Sequence, residues 1–197
     1  DQGGSNGALR GQKGQTWDGG QRVPCIMRWP GKIPAGEVRN ELTSSIDFFG
    51  TIAGLTGAKV PQDRTTDTKD VSPLMFATEP TESPRTEFFY YHRNNIEAVR
   101  DDRWKLHVRK LDEEINELYD LRADIGETTN VFDQHPDVVA RLNGLIEACR
   151  LDLGDKVSGI EGNDVRPHGR VDNPDTLTHY DPEHPYIYAE YDKAERG

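Results

Sequence analysis

Cysteine is nearly missing from this chain: Cys25 and Cys149 are the two in 197 residues. So thin a supply excludes a disulfide scaffold, and their separation shows no C-x-x-C or zinc-ligand spacing. They read as two ordinary half-buried thiols, which leaves the redox compartment open. Apolar residues are scarce as well. Leu, Ile, Val and Phe make up about a fifth of the chain, near the level below which charged chains tend to disorder, and the mean hydropathy is -0.81. A chain of this length can bury a sizeable core. The shortage therefore implies a modest core joined by long polar connections, or one completed by sequence outside the chain. No apolar run approaches a membrane span, and no signal-peptide pattern is visible. Positive charge is the minority sign, 24 Lys and Arg against 35 Asp and Glu, for a net charge of -11. That balance argues against a nucleic-acid partner, which needs a basic face. It leaves a small anionic substrate open, because local charge governs a pocket.

Glycine is concentrated where apolar residues are fewest. Asp1 to Pro24 hold seven glycines, the residue used where backbone approaches something closely or takes positive φ. This stretch reads as a loop excluded from the core, with the remainder of the chain as its scaffold, and its abrupt start at Asp1 reads as the edge of a fragment. Asp1-Gln2-Gly3 sets a carboxylate beside a side-chain carbonyl, two hard oxygen donors that suit Ca²⁺ or Mg²⁺ if further carboxylates join them. In Arg10-Gly-Gln-Lys13-Gly14 a lysine stands between glycines, where its ammonium can grip an oxyanion. On spacing alone, a solvated chain end and a solvated lysine are the ordinary alternatives. The run is no phosphate-binding P-loop, since Lys13 precedes Gly14 and Gln15 stands where the helix would begin. Trp17 to Pro24 reads as a turn pinned by a buried Asp18–Arg22 ion pair.

Along the rest of the chain, Val23–Trp29 reads as a short strand ended by Pro30-Gly31. A helix is expected over 44–56, capped by Ser44 or Ser45, with Ile46, Phe49, Ile52, Ala53 and Leu55 as its apolar stripe and tight packing at Gly50 and Gly54. Residues 58–86 are a polar connection with one helical turn at 72–75. Three β-like runs follow at 87–92, 96–100 and 104–108, with a fourth at 117–121, and the short breaks between the first three suit an antiparallel meander. Pro136 opens a helix to 153 whose stripe is Val138, Val139, Leu142, Leu145, Ile146, Cys149 and Leu153. Such a stripe lies across a small sheet, an α+β layer. His92 and His107 lie on strands and read as satisfied structural histidines.

Taken together, these runs resemble the C-terminal part of the sulfatase family, the formylglycine-dependent arylsulfatase type of the alkaline-phosphatase-like superfamily. The likeness is carried by Asn6-Gly-Ala-Leu-Arg-Gly-Gln-Lys13-Gly-Gln-Thr-Trp17-Asp-Gly-Gly-Gln-Arg22-Val-Pro24 and by Arg28-Trp-Pro-Gly-Lys-Ile-Pro-Ala-Gly36. It continues through Ser45-Ile-Asp47, Arg103-Trp-Lys-Leu-His107, Glu117-Leu-Tyr-Asp-Leu121 and Asp124-Ile-Gly-Glu-Thr-Thr-Asn130. The resemblance implies the end of an alkaline-phosphatase-like α/β sandwich over 1–85, then a four-stranded antiparallel sheet with packing helix 136–153 over 86–155; by its Gly, Pro, Asp and His content, 156–197 reads as an extended polar tail that wraps the body.

By the same resemblance, Asp1 and Gln2 are two ligands of an active-site Ca²⁺, with Mg²⁺ as the second choice. Lys13 contacts a sulfate oxygen, and Asp18 and Arg22 shape the loop. Substrate is read by loops that include Arg93–Asn95, with His92 and Arg93 as binding candidates beside Lys13. The family nucleophile is a formylglycine made from cysteine in C-x-[PA]-x-R, a pattern that neither Cys25 nor Cys149 fits. That nucleophile and the remaining ligands are expected upstream of Asp1, and the chain alone is expected to be inactive. The implied activity is sulfate-ester hydrolysis on a sulfated small molecule or glycan, in a periplasmic or secreted setting. A phosphodiesterase or phosphonate monoester hydrolase of the same superfamily, and a non-catalytic binding module on the same scaffold, are the alternatives.

Overall fold

Strand and helix periods divide the second half of the chain cleanly between a sheet and the helix that covers it. In a computed structural model of the chain, residues 4–167, 169, 170, 172 and 183 are described. Asp1, Gln2 and, apart from Glu183, the tail from 173 to 197 lie outside them. Residues up to Val165 form one compact unit, and the architecture below is that of this unit. Four strands, β1 (Phe88–His92), β2 (Asn95–Arg100), β3 (Trp104–Lys110) and β4 (Glu113–Asp120), pair in sequence order, each antiparallel to the last. The meander is the one expected, with β4 starting four residues earlier than its apolar pattern.

β3 shows why the sheet has two unlike faces. Its sequence alternates, so Trp104, Leu106 and Val108 turn one way and Lys105, His107 and Arg109 the other. The first set joins Phe89, Tyr91, Ile96, Val99 and Leu118 under a helix spanning Pro136–Leu153. Pro136 supplies the preset φ at the first turn, Val139, Leu142, Ile146 and Cys149 are buried, and Gly154 ends the helix at φ 83. Val138 and Leu145 are partly buried, whereas Leu153 is exposed.

One irregularity sets the phase of β2. Tyr90 pairs with Ala98 but Tyr91 with Ile96, which leaves Glu97 as the extra residue of a β-bulge. The bulge lets Ile96 and Val99 both reach the helix side. It also turns the Glu97 carboxylate to the opposite, polar face.

The first half of the unit departs from the sequence reading in three places. Val23–Trp29 is not a strand. A strand needs a neighbour's backbone groups, no described segment supplies them, and Val23 and Ile26 stand largely exposed. Asp18–Gln21 forms a single helical turn, α1, in place of an open turn. The helix expected over 44–56 forms as α2 (Asp47–Thr56), without a serine cap and with its stripe turned outward except at Ala53: Asp47, Gly50 and Thr51 are buried with Ala53, and Ile46, Phe49, Ile52 and Leu55 are exposed.

Hydrogen bonding explains the reversal. Asp47 Oδ1 accepts Lys69 N–H at 2.9 Å, Thr51 Oγ1 accepts Val71 N–H at 3.0 Å, and Arg85 grips the Asp47 carboxylate from two nitrogens at 2.5 and 2.9 Å. Burial alone would raise the Asp47 carboxyl, but Arg85 and the Ser44 and Lys69 amides hold it below its ordinary value. Gly50 allows the close approach, since a Cβ there would lie 2.8 Å from Thr68 Oγ1. A third helix, α3 (Ser72–Phe76), is the expected turn with Pro in the first positions, and α4 is Pro136–Leu153.

Candidate functional site

The glycine-rich stretch does not stay outside the core. Thr16, Trp17 and Asp18 are buried, laid across the polar face of the sheet. The ring of Trp17 lies 4.2 Å from that of His107 and 5.8 Å from that of Tyr119, with the Arg10 guanidinium 3.6 Å from its centroid. Glycines make the fold of the loop possible. A Cβ at Gly19 would sit 2.6 Å from the carbonyl oxygens of Arg10 and Gly11, and one at Gly20 only 2.2 Å from that of Gln15. The two limbs of the loop therefore touch through bare backbone, and Gly19 N–H donates to Arg10 O at 2.7 Å.

Beneath Trp17 lies a closed ionic network. Lys105, fully buried, donates to Asp18 Oδ1 at 2.7 Å and reaches Glu127 Oε1 at 3.0 Å. Arg100 approaches the other Asp18 oxygen at 3.5 Å. Glu127 Oε2 accepts Asp18 N–H at 2.8 Å, and its Oε1 takes His107 Nε2–H at 2.9 Å. Two carboxylates thus face two cations, the condition under which burying charge is tolerable. Burial, then the Lys105 and Lys110 ammoniums, push His107 well below its ordinary value, so the ring is neutral. A carboxylate only accepts, which puts the proton on Nε2 and leaves Nδ1 as a buried lone pair without a partner among the described residues.

Glu127 reaches the network from a conformation rare outside glycine, φ 51. Its turn is held by Asp124, whose carboxylate accepts the Thr128 and Thr129 amides at 2.7 Å each. Asn130 then ties the turn to β4 by accepting Leu118 N–H at 3.0 Å. Arg10 closes the assembly, donating to Glu127 O at 2.8 Å and to the Tyr119 hydroxyl at 3.2 Å. Burial and the Glu117 carboxylate push Tyr119 up to about 12, so it remains a neutral donor.

Lys13 rides on the anchored loop. It sits exposed in the turn ahead of Gly14 and takes no hydrogen bond or ion pair among the described residues. Next to it opens a cleft of about 220 Å³ lined by Gly14, Thr16, Trp17, His92, Glu97 and Lys110, among others. On its floor, Lys110 donates to the Thr16 hydroxyl, which donates to Glu97 Oε2 at 2.6 Å. Glu97 Oε1 accepts Leu111 N–H at 2.7 Å and lies 4.0 Å from His92 Nδ1.

His92 lines this cleft, Lys13 directly precedes the lining residue Gly14, and Arg93 is exposed in the β1–β2 turn at φ 55. It corrects the ion pair expected of Asp18: the partners are Lys105 and Arg100, while the Arg22 side chain is exposed and only its backbone N–H meets Asp18 O. Arg22 ends the helical turn in extended backbone (φ -78, ψ 127), and its side chain leaves the Asp18 face for solvent. Lys105, Glu127, Glu97 and Lys110 were not singled out from the sequence. The alternation of Lys105, His107 and Arg109 in β3 was the signal, but an alternating polar face ordinarily means solvent. Asp1 and Gln2 lie outside the described residues. Among the described residues no group of three or more His, Cys, Asp and Glu side chains is placed to hold a metal ion, and no helix is long and apolar enough to cross a membrane.

Known proteins are similar to this chain in sequence and in fold. Residues 12–151 match the family described as N-sulphoglucosamine sulphohydrolase, C-terminal. Mouse steryl-sulfatase is 45% identical over 98 residues, half of this chain and 16% of that protein. Pig N-acetylgalactosamine-6-sulfatase is 42% identical over 106 residues, 54% of this chain and 20% of that one. The crystal structure of a sulfatase from Pseudoalteromonas sp. superposes with a TM-score of 0.61 at 25% identity, covering 72% of this chain and 32% of the other. The chain spans a fifth or less of the length of these two curated relatives. The matched region takes in the whole sheet, most of the packing helix and Thr16, Trp17 and Asp18 of the loop, and the chain belongs to the sulfatase family, in the part that the C-terminal family description covers.

Proposed function

We propose that the chain works in the hydrolysis of sulfate esters, with Lys13 as the residue that meets the sulfate. The observation that carries this is the contrast on one loop: an exposed, unengaged ammonium at Lys13, three to five residues from Thr16, Trp17 and Asp18, which are buried and bonded. The backbone that carries this cation is anchored, so that the lysine side chain alone adjusts to charge developing on a transferring group. Membership of the sulfatase family supports the choice of sulfate. A sulfated small molecule or glycan is the substrate class, as in the relatives' names.

Asp1 and Gln2 would hold the cation, Ca²⁺ before Mg²⁺. A carboxylate and an amide carbonyl are oxygen donors of the type both ions take. When bound, the ion supplies Lewis-acid polarisation of a sulfate oxygen. The formylglycine nucleophile would come from sequence other than this chain. Lys13 holds the ester oxygen by charge, and the Asp18–Lys105–Glu127 network holds Lys13's loop to the sheet. The test is Lys13→Ala in the full-length protein, with release of inorganic sulfate as readout. A fall of about 10²- to 10³-fold in turnover is expected, and unchanged turnover removes Lys13 from the site.

A further inference from the structure

The cleft beside Lys13 has chemistry of its own. Its carboxylate, Glu97, is 3% exposed and already accepts from Thr16 and Leu111, so it has little left to offer a ligand. The groups that remain open are cationic or neutral donors. Lys110 gives one bond to Thr16 and lies 3.8 Å from Glu97, which leaves N–H capacity on its ammonium, and His92 faces it from the end of β1. The Lys110 stem is fixed as well, with Nζ 3.9 Å from the Trp17 ring centroid.

Glu97 is the bulge residue of β2, turned out of the strand's alternation onto this face. Its bond to Leu111 N–H holds the β3–β4 turn, where Leu111 sits at φ 53. A buried carboxylate that holds a partly exposed ammonium in place, and cannot itself reach a ligand, is a support for an anion-binding lysine. Burial pushes Lys110 down to about 8. Glu97 and, farther off, Glu127 and Glu117 oppose that shift, while Lys105 adds to it. An arriving anion would draw the proton back.

We propose that this cleft is a second anion subsite, taking a carboxylate or second sulfate carried by the same substrate molecule whose sulfate ester meets Lys13. Gly14, the residue after Lys13, lines the cleft, so the two sites are neighbours on one loop, and the two acids are taken from neighbouring positions of one substrate. A volume of 220 Å³ lies below that of a whole ligand pocket and suits one charged group with part of its ring. The subsite rests on the reading of Lys13 as the sulfate contact, and it narrows the substrate to a sulfate ester bearing another acid.

The experiment is calorimetric binding to the full-length protein with sulfonate analogues, in which CH₂ replaces the ester oxygen so that nothing is cleaved. Three disaccharides are compared: one with a uronate carboxylate beside the sulfonate, one with that carboxylate as its methyl ester, and one with a sulfate in its place. The wild type is expected to prefer at least one of the two doubly anionic ligands over the methyl ester by about 10- to 100-fold, and the arms identify which acid is taken. Lys110→Met should bring that preference close to one, and Lys110→Arg should restore most of it. At pH 8, binding of the preferred ligand should take up protons in the wild type and not in Lys110→Met. Equal affinity for all three ligands, no measurable binding of either doubly anionic one, or a preference kept in Lys110→Met overturns the subsite. Sulfate release from the natural esters tests the parent reading separately. Preference without release keeps the subsite and removes the reaction, and release without preference does the reverse.

Discussion

Replacing Glu127 by Gln tests whether buried charge fastens the loop to the sheet. Three donors converge on that carboxylate: Asp18 N–H at 2.8 Å, His107 Nε2–H at 2.9 Å and Lys105 Nζ at 3.0 Å. Glutamine keeps the shape but offers one acceptor oxygen and an NH₂ that must face a donor. It also leaves Lys105 and Arg100 against Asp18 alone, one uncompensated positive charge in a site where Lys105, Asp18 and Glu127 are all buried. Breaking one partner of a buried pair costs about 3–5 kcal/mol, out of a total stability on the order of 5–15 kcal/mol. At about 2–4 °C per kcal/mol for a chain of this size, the thermal midpoint should fall by about 6–20 °C. Thermal unfolding followed by circular dichroism reads the shift. Lys105→Met in the same protein supplies the control. Alone it leaves two carboxylates against Arg100, whereas the double variant restores balance between Asp18 and Arg100. The two losses should therefore fall short of additivity by about 2 kcal/mol or more. A Glu127→Gln midpoint within about 2 °C of wild type, or strictly additive losses, would refute the network as the fastening.

Three further outcomes follow from the same geometry. His107 titrates well below 6.5 in the folded chain, so the unfolded chain binds its proton first, and stability should drop as pH falls through 6.5; His107→Asn should flatten that slope between pH 7 and 5, measured by urea unfolding at each pH. Gly20→Ala puts a methyl 2.2 Å from the Gln15 carbonyl, and because backbone must move, a loss of about 1–3 kcal/mol is expected, with lower sulfate release through displacement of the Lys13 turn. Cys25 is exposed, while Cys149 is buried and its thiol is pushed up by burial; a disulfide reagent should titrate one thiol promptly and the second only on unfolding, and two prompt thiols would contradict the packing of α4.

Period-two and period-3.6 patterns in the second half carried most of the fold. β1 to β3 and α4 are legible because each has one face on a single core, and their apolar residues repeat at the spacing that face imposes. α2 was legible as a helix but not in its orientation. Its apolar residues, Phe49, Ile52 and Leu55, do not decide which side packs. Asp47 and Thr51 do, because they satisfy the Lys69 and Val71 amides and hold Arg85. Val23–Trp29 failed for a related reason: β-propensity is local, but a ladder needs a partner that no described segment provides.

The site was legible where the family pattern runs through it and hidden where long-range pairing builds it. Lys13 could be picked out between its glycines. Lys105 and Glu127 could not, since nothing local distinguishes a strand lysine facing water from one under a loop 87 residues away in sequence. Polar side chains on β3 are ordinarily a solvent face, and here the glycine-rich loop covers them. That one substitution of loop for water explains the composition as well. With so few apolar residues to bury, the second layer of this unit is made from ion pairs and hydrogen bonds, and each of these is satisfied only in one register of loop against sheet. An apolar layer would tolerate sliding by a residue. A lattice of Asp18, Lys105, Glu127 and His107 contacts does not, and a lysine displayed from such a layer keeps its position relative to the sheet.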